Sequence, residues 1–178
     1  MKPIVFAGSL VEKILGHFFL PGAIRSSKER EHVFALEIQQ ELGFLFEDNG
    51  GTIVPDEGLK YPQPFDCAFV LVALDEDLIF RFFRGLEDLR VWVAPKRTPK
   101  DWAELQIVFA LLQEPDEERP FLLLKDVAYA LKPRLGRLRE AFSPDRYSEL
   151  KRRLADRRDF EGAVIRQREN QINRNLYG

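Results

Sequence analysis

The chain has 178 residues, of which 45% are apolar and 31% are charged, and its formal net charge is −2. This length and composition are typical of one globular domain that buries a sizeable core without disulfides or metals. One cysteine excludes an internal disulfide and a Cys-x-x-Cys zinc site, and two histidines exclude a site built on three histidine ligands.

The first forty residues are predicted to form two helices. Ser9–Glu12 and Ser26–Glu29 both have the capping-box pattern, in which a serine at the helix start is followed three residues later by glutamate. They predict helices over residues 10–19 and 27–42. Charged residues interrupt the apolar stretch of the first helix, which favours a buried amphipathic helix over a secretory signal. Together with the single cysteine, this favours a cytoplasmic location.

A hairpin is predicted after the second helix. Phe44–Phe46 favours a short strand, Asp48–Gly51 is a dense turn signal, and Thr52–Val54 is expected to pair back with that strand. Prolines and a glycine over residues 55–64 then indicate a loop.

The clearest pattern is a β-meander over residues 65–94. Three short apolar runs, Cys67–Leu74, Leu78–Phe83 and Leu89–Val93, are separated by polar breaks, which is typical of antiparallel strands. Because side chains alternate between the two faces of a strand, one set of residues is predicted to lie in the core and the other on a second face. The predicted core set is Phe80, Phe82, Leu89, Val91 and Val93.

The segment after the meander is predicted to be a helix. Thr98 is a suitable cap, Pro99 suits the first helical position, and Asp101 supplies an acid in the first turn. The apolar stripe of this helix, which includes Trp102, is predicted to run to about Gln113.

Two more helices are predicted before the C-terminal tail. An acidic loop over residues 114–120 precedes a helix over residues 122–141, which Pro133 kinks or breaks. Ser143-Pro144 is predicted to start a last helix over residues 144–157.

These elements predict an α+β fold, in which helices from both the N- and C-terminal segments pack on one face of a small antiparallel meander of three to five strands. Residues 1–158 are assigned to this single domain, and residues 159–178 to a tail or a marginal helix. If the tail is ordered, its apolar residues are expected to pack on the domain or across a homodimer. Those residues are Phe160, Val164, Ile172 and Leu176.

The sequence contains no recognisable catalytic motif or nucleotide-cradling loop, and no cofactor or metal is expected. Glu29 and His32 have the Glu-x-x-His spacing of di-iron sites, but the second such motif that those sites need is missing. Cys67 is expected to be a core residue. An enzyme on an unrecognised scaffold would require His17, His32 and Cys67 to meet in one pocket.

One candidate binding site lies on the second face of the meander. Its residues are Arg81, Phe83, Arg90 and Trp92. Arginine and tryptophan are enriched at the energetic centres of protein interfaces, and an antiparallel sheet often has one open face. These residues are therefore predicted to bind another protein. The alternative is that the first helices cover this face.

A second candidate is the basic stretch near the C terminus. Residues 121–178 carry 14 Lys and Arg against 8 Asp and Glu, whereas residues 1–120 carry 13 against 21. On a helix, the basic side chains would meet the phosphates of a nucleic acid or another anionic ligand. The alternative is a solvated helix face, because the interleaved aromatic residues of single-strand binders are absent. The residues concerned are Lys151, Arg152, Arg153, Arg157 and Arg158.

The layout of residues 33–158 resembles small uncharacterised bacterial proteins, some of which are regarded as immunity proteins of polymorphic toxin systems. The resemblance implies a non-enzymatic protein that binds and occludes a toxin, and it transfers no site residue. Protein interaction is therefore the predicted function, nucleic-acid or anionic-ligand binding is the alternative, and no membrane association is expected. The residues that carry the resemblance are Glu41–Phe44, Phe80–Phe83, Leu89–Val93, Asp101-Trp102, Leu131, Leu135, Leu138, Tyr147 and Leu150.

Overall fold

A five-stranded antiparallel sheet lies at the centre of the protein, and each strand pairs with the strand that follows it in the chain. The computed structural model describes residues 26–55, 67–75, 77–86, 88–112, 121–160 and 162. The strands are β1 (Thr52–Val54), β2 (Ala68–Ala73), β3 (Leu78–Arg84), β4 (Leu89–Pro95) and β5 (Ala103–Glu104).

Helices precede and follow the sheet in the chain. Among the described residues, two precede it, namely α1 (Ser27–Glu41) and α2 (Gly43–Glu47). The elements that follow are α3 (Leu105–Leu111), α4 (Leu124–Leu131), a 3-10 turn (Lys132–Arg134), α5 (Leu135–Ala141) and the helical residues 147–160, called α6 below. The predicted α+β fold, with helices from both ends of the chain around an antiparallel meander, is confirmed.

The main core lies between one face of the sheet and the helices. The five residues predicted for this face, in β3 and β4, are all buried. Apolar side chains from every helix pack against them, and the burial of so much apolar surface is the main force that stabilises the fold. The helical contributors include Phe34 and Ile38 of α1, Leu45 of α2, Phe109 of α3, Val127 of α4, Leu138 of α5 and Leu150 of α6.

α1 begins as the sequence predicts, at a capping box. The backbone N–H of Ser26 donates to the Glu29 carboxylate at 2.8 Å, and the backbone N–H of Glu29 donates to the Ser26 hydroxyl at 3.3 Å. These bonds satisfy donors that a helix start leaves without partners. Glu29 therefore has a structural role, and His32 lies exposed on α1.

The predicted strand at Phe44–Phe46 is wrong, because these residues lie in α2. Ile38, Leu42 and Leu45 are all fully buried, and their spacing continues one helical stripe into the core. β1 exists as predicted, but its partner is β2.

The helix predicted from Thr98 is also misplaced. Thr98 and Pro99 form a turn, in which the backbone N–H of Asp101 donates to the carbonyl of Thr98 at 3.0 Å. Proline suits the second position of such a turn as well as the first position of a helix, so the sequence signal is ambiguous. Trp102 follows the turn in an extended segment, β5 pairs with β4, and the helix begins only at Leu105.

The C-terminal helices lie close to their predicted positions. Pro133 lies in the 3-10 turn that separates α4 from α5. Of the two predicted alternatives, a kink or a break in the helix, the structure shows the break. α6 begins after a turn at Ser143-Pro144, where the backbone N–H of Tyr147 donates to the carbonyl of Ser143 at 2.9 Å. Within the part of the chain that the structure describes, no helix has the length and apolar character needed to cross a membrane.

Several predictions concern residues outside the described ranges. They are the helix over residues 10–19 with His17, most of the loop over residues 55–64, the acidic loop over residues 114–120, and the tail residues Val164, Ile172 and Leu176.

Candidate interaction surface

The strand register brings the four predicted sheet residues together on one face. Arg81 of β3 lies directly opposite Trp92 of β4, and Phe83 lies directly opposite Arg90. Residues opposite each other in an antiparallel pair have their side chains on the same side of the sheet. The four residues are therefore two neighbouring cross-strand pairs on the face away from the main core.

Aromatic contacts extend this face onto β2. The ring centroid of Phe69 lies 4.7 Å from that of Phe83, which in turn lies 6.3 Å from that of Trp92. All three side chains are half-buried. Aromatic rings at such separations attract each other. The row is therefore a preformed apolar surface that spans three strands.

The other end of the same face is buried. Leu71, Ala73, Ile79 and Ala94 form a small apolar cluster separate from the main core, and Trp102 packs against it. The second face is thus divided: the end where β3 begins is buried, and the end where β3 finishes carries the half-buried aromatic row. Among the described residues of this face, the aromatic end is therefore the more accessible one.

Trp102 belongs to this surface. The guanidinium carbon of Arg81 lies 4.7 Å from the centroid of the Trp102 ring. A guanidinium group over an indole face is held by cation–π attraction. Arg81 is half-buried in this position, so its charge is fixed beside both tryptophans.

Arg90 is the most exposed of the four sheet residues, with 55% of its side chain accessible. Its Nε donates to Oδ2 of Asp88, the residue directly before β4, at 2.8 Å. An exposed ion pair of this kind contributes less than about 1 kcal/mol, so a carboxylate of a partner can replace Asp88 at little cost.

A cleft beside β5 connects this face with α6. It has a volume of about 210 Å³. Trp92 lies at its sheet side, and Arg157 and Arg158 lie at its helix side. The two candidate sites that the sequence treated as alternatives therefore meet at one cleft. The other lining residues are Trp102, Ala103, Glu104, Ile107 and Leu154.

Asp101 connects α6 to the segment before β5. Its Oδ2 accepts hydrogen bonds from Lys151 Nζ at 2.8 Å and from the Tyr147 hydroxyl at 3.1 Å. The bond from Lys151 is the main reason that the pKa of Asp101 lies below its usual value, and it outweighs the opposing effect of burial. Burial of the phenol, together with its bond to the carboxylate, raises the pKa of Tyr147 to about 12. These bonds position α6 beside Trp102.

A neighbouring cavity of about 210 Å³ lies next to this network. It shares Trp102, Leu154 and Arg158 with the cleft, and Asp101 and Tyr147 also line it. The network therefore determines the position of side chains that border both cavities.

Three of the five residues of the basic stretch bond to other groups of this protein. Lys151 bonds to Asp101, Arg152 pairs with a glutamate one turn earlier at 2.7 Å, and Arg153 donates to the carbonyl of the last residue of α3. Arg157 and Arg158 line the cleft. Lys151, Arg152 and Arg153 thus bond to groups of this protein, and Arg157 and Arg158 border the cleft beside the tryptophans.

The described residues contain no group of three or more His, Cys, Asp or Glu placed to hold a metal ion. Cys67 is half-buried just before β2, and its carbonyl accepts a hydrogen bond from Arg30 at 3.4 Å. His32 is exposed, and His17 lies outside the described residues.

Comparisons of the chain with models of protein families, with curated proteins and with solved structures give no match. The resemblance to immunity proteins therefore stays an expectation. Chemically, the surface offers indole and phenyl rings next to guanidinium groups. Such a surface accommodates an apolar side chain beside a carboxylate.

Proposed function

We propose that this protein is a non-enzymatic interaction domain that binds another protein through the aromatic end of its second sheet face and the cleft beside β5. This area is called the tryptophan–arginine surface below. The observation that supports the proposal is that Trp92 lies between Arg81 from the sheet and two arginines from α6. The residues of the surface are Arg81, Phe83, Arg90, Trp92, Trp102, Arg157 and Arg158.

The chemistry of the surface indicates the kind of partner. Tryptophan and arginine are the residue types that contribute most binding energy at protein interfaces, especially where they are already packed in place. Guanidinium groups bind carboxylates with two parallel hydrogen bonds. The partner is therefore expected to present acidic side chains next to at least one apolar side chain.

The layout resemblance supplies a narrower version of this proposal. In that version the protein is bacterial and cytoplasmic, and its partner is a toxin that it binds and occludes, as an immunity protein does. The single cysteine supports the cytoplasmic location.

The test is capture of partners from a lysate of the native host, with the full chain as bait and with half of each sample treated with nuclease. We expect one protein partner that survives nuclease treatment. The double variant Arg90→Ala/Trp92→Ala should lose it, because the variant removes one exposed cation and one central ring. A double variant on the helical side, Leu122→Ala/Lys125→Ala, should keep it, since both residues are exposed there.

Two results would contradict the proposal. One is unchanged capture by the Arg90→Ala/Trp92→Ala variant when its circular dichroism spectrum and melting temperature match those of the wild type. The other is recovery that disappears with nuclease in every sample.

Nucleic-acid or anionic-ligand binding is the second candidate, and one observation favours it. Trp92 and Trp102 lie beside Arg157 and Arg158, which supplies the aromatic rings that the basic stretch lacks in sequence. The bonds of Lys151, Arg152 and Arg153 to other groups of this protein count against it. Its test is binding of a labelled single-stranded oligonucleotide, whose affinity should fall steeply between about 50 and 200 mM salt. Absent or salt-independent binding would exclude this candidate.

A further inference from the structure

The turn between α2 and β1 contains the dipeptide Asn49-Gly50, which is the one asparagine–glycine pair of the sequence. This dipeptide is the most prone to spontaneous deamidation, because glycine has no Cβ to keep its backbone nitrogen away from the preceding side chain. In the structure Gly50 is exposed and has a φ of 61°, whereas Asn49 is half-buried. The attacking backbone is thus open to water, and the side chain that it would attack is partly enclosed by the fold.

Two hydrogen bonds hold the Asn49 carboxamide. Its Nδ2 donates to the carbonyl of Phe44 in α2 at 2.7 Å, and its Oδ1 accepts from Nη1 of Arg139 in α5 at 3.0 Å. The nitrogen and the oxygen of the carboxamide each have a partner, which fixes the orientation of the group. The bond to Arg139 has a charged donor, and such bonds are stronger than those between neutral groups.

Arg139 is held in turn by a second group. Its Nε lies 3.1 Å from Oδ2 of Asp77, the residue directly before β3. One guanidinium group therefore connects the turn before β1 with the turn before β3. The side chain of Arg139 is 32% exposed, so solvent weakens its interactions less than those of an ion pair on the open surface. Arg139 is thus the group whose loss should release the Asn49 side chain.

We propose that Asn49 is a site of spontaneous deamidation and that the folded state slows the reaction. The backbone nitrogen of Gly50 loses its proton to hydroxide and forms a bond to Cγ of Asn49, and the carboxamide nitrogen leaves as ammonia. One water molecule then opens the resulting succinimide ring, which leaves aspartate or isoaspartate at this position. Water is the only co-reactant, and no oxidant or reductant takes part.

The hydrogen bonds of Asn49 explain why the fold slows the reaction. Ring closure requires the carboxamide to turn toward the following residue, whereas its bonds turn it toward α2 and α5. The turn must therefore open locally before the ring can close. The product lacks the Nδ2 donor and places a carboxylate near the carbonyl of Phe44, and isoaspartate adds a carbon to the backbone of the turn. Deamidation thus weakens the connection between α2 and β1, and the change accumulates with the age of the protein.

The test is peptide mapping by mass spectrometry during incubation of the full chain at mildly alkaline pH. We expect conversion at Asn49 to be at least about tenfold slower in the folded chain than in the chain unfolded by urea. In the folded chain, Arg139→Gln should speed conversion at least about fivefold, because it removes the charged donor. Asp77→Asn removes only the ion pair of Arg139, and it should speed conversion by a smaller factor. Arg146→Gln makes the same charge change as Arg139→Gln at an exposed ion pair with Glu140, and it should leave the rate within about twofold.

Several outcomes would overturn the proposal in protein whose fold is intact by circular dichroism. Equal conversion in the folded and the unfolded chain would show that the fold gives no protection. Equal rates in Arg139→Gln and Arg146→Gln would show that the bond from Arg139 does not restrain the carboxamide. Slower conversion in Arg139→Gln than in the wild type would show that the guanidinium activates the carboxamide. In the unfolded chain, conversion at Asn49 that is no faster than at the other asparagines would show that it is not a preferred site.

Discussion

Asp101 joins α6 to the segment before β5, next to the cleft. It accepts hydrogen bonds from Lys151 and Tyr147, and both donors lie in α6. Tyr147 is held further by Phe142, whose ring lies 5.6 Å away between centroids, and by Arg97, whose guanidinium lies 5.5 Å from its ring centroid. Loss of the carboxylate would therefore loosen α6 next to Trp102.

The raised pKa of Tyr147 predicts a pH dependence of stability. The folded state keeps the phenol protonated up to a pKa of about 12, whereas in the unfolded chain the phenol titrates near its ordinary pKa of 10.0. A raised folded pKa gives a stability contribution that is complete below the unfolded pKa and is lost as the pH rises through the folded pKa. The free energy of unfolding contributed by Tyr147 should therefore decrease between pH 10 and about 12.

Urea denaturation of the wild type and of Tyr147→Phe at a series of pH values measures this contribution. The wild type should be the more stable protein at neutral pH, and its advantage should shrink from pH 10 upward. An advantage that stays constant up to pH 12 would show that the hydrogen bond to Asp101 does not hold the phenol in its protonated form.

At the level of elements, β2, β3 and β4 could be predicted from the sequence because they are short apolar runs separated by polar breaks. β2, β3 and β4 lie within a residue or two of the predicted runs, and the residues of β3 and β4 that were predicted for the core are buried. Phe69 could also have been predicted as part of the candidate binding face. Alternation along β2 places it on the second face, and the strand register sets it opposite Phe83.

The two misplaced elements have a common physical cause, which is that local signals were compatible with two structures. Residues 44–46 form a short apolar segment that suits a strand or a helix. The burial of Leu45 on the same helical stripe as Ile38 and Leu42 favours the helix. Thr98-Pro99 suits a turn and a helix start equally well, and pairing of the following residues with β4 selects the turn. Contacts with distant residues decide both cases, and local patterns do not contain them.

Two glycines should respond to the same substitution with opposite signs. Gly50 has a φ of 61° in the turn between α2 and β1, and an added Cβ would lie 2.1 Å from Asp75 Oδ1. Gly50→Ala should therefore cost about 1–2 kcal/mol of unfolding free energy. Gly136 lies in α5 with open space around its Cβ position. Gly136→Ala should add about 0.5–1 kcal/mol, because alanine is the better helix former.

Chemical denaturation of both alanine variants against the wild type checks this pair. Similar destabilisation by both changes would contradict the assignment of Gly136 to an open helical position. Similar stabilisation by both would contradict the left-handed conformation of Gly50.

At the scale of the whole molecule, the basic C-terminal third and the acidic part before it partly neutralise each other within the fold. Cations of the C-terminal third pair with carboxylates of the preceding part: Arg139 Nε lies 3.1 Å from Asp77 Oδ2, and Lys151 Nζ lies 2.8 Å from Asp101 Oδ2. Such pairs reduce the positive charge available to a polyanion. They therefore favour local recognition of acidic groups on a protein over binding along a nucleic-acid strand.

The candidate site could be predicted from the sequence only in part. Arg81, Phe83, Arg90 and Trp92 were placed on one face by alternation alone. The meeting of Trp92 with Arg157 and Arg158 depends on where α6 packs beside β5, which no local pattern encodes. Trp102 was missed because the sequence pattern assigned it to a helix. In the structure this helix begins only at Leu105, after Trp102.

The most direct test uses the fact that the chain has two tryptophans, Trp92 and Trp102, and that both line the cleft. In protein labelled with 5-fluorotryptophan, ¹⁹F NMR should give two resonances, which a Trp92→Phe variant assigns. Addition of the captured partner protein should shift or broaden both, since binding at the tryptophan–arginine surface changes their surroundings. If the partner binds by calorimetry while both resonances stay unchanged, the partner uses another surface and the proposed one is wrong.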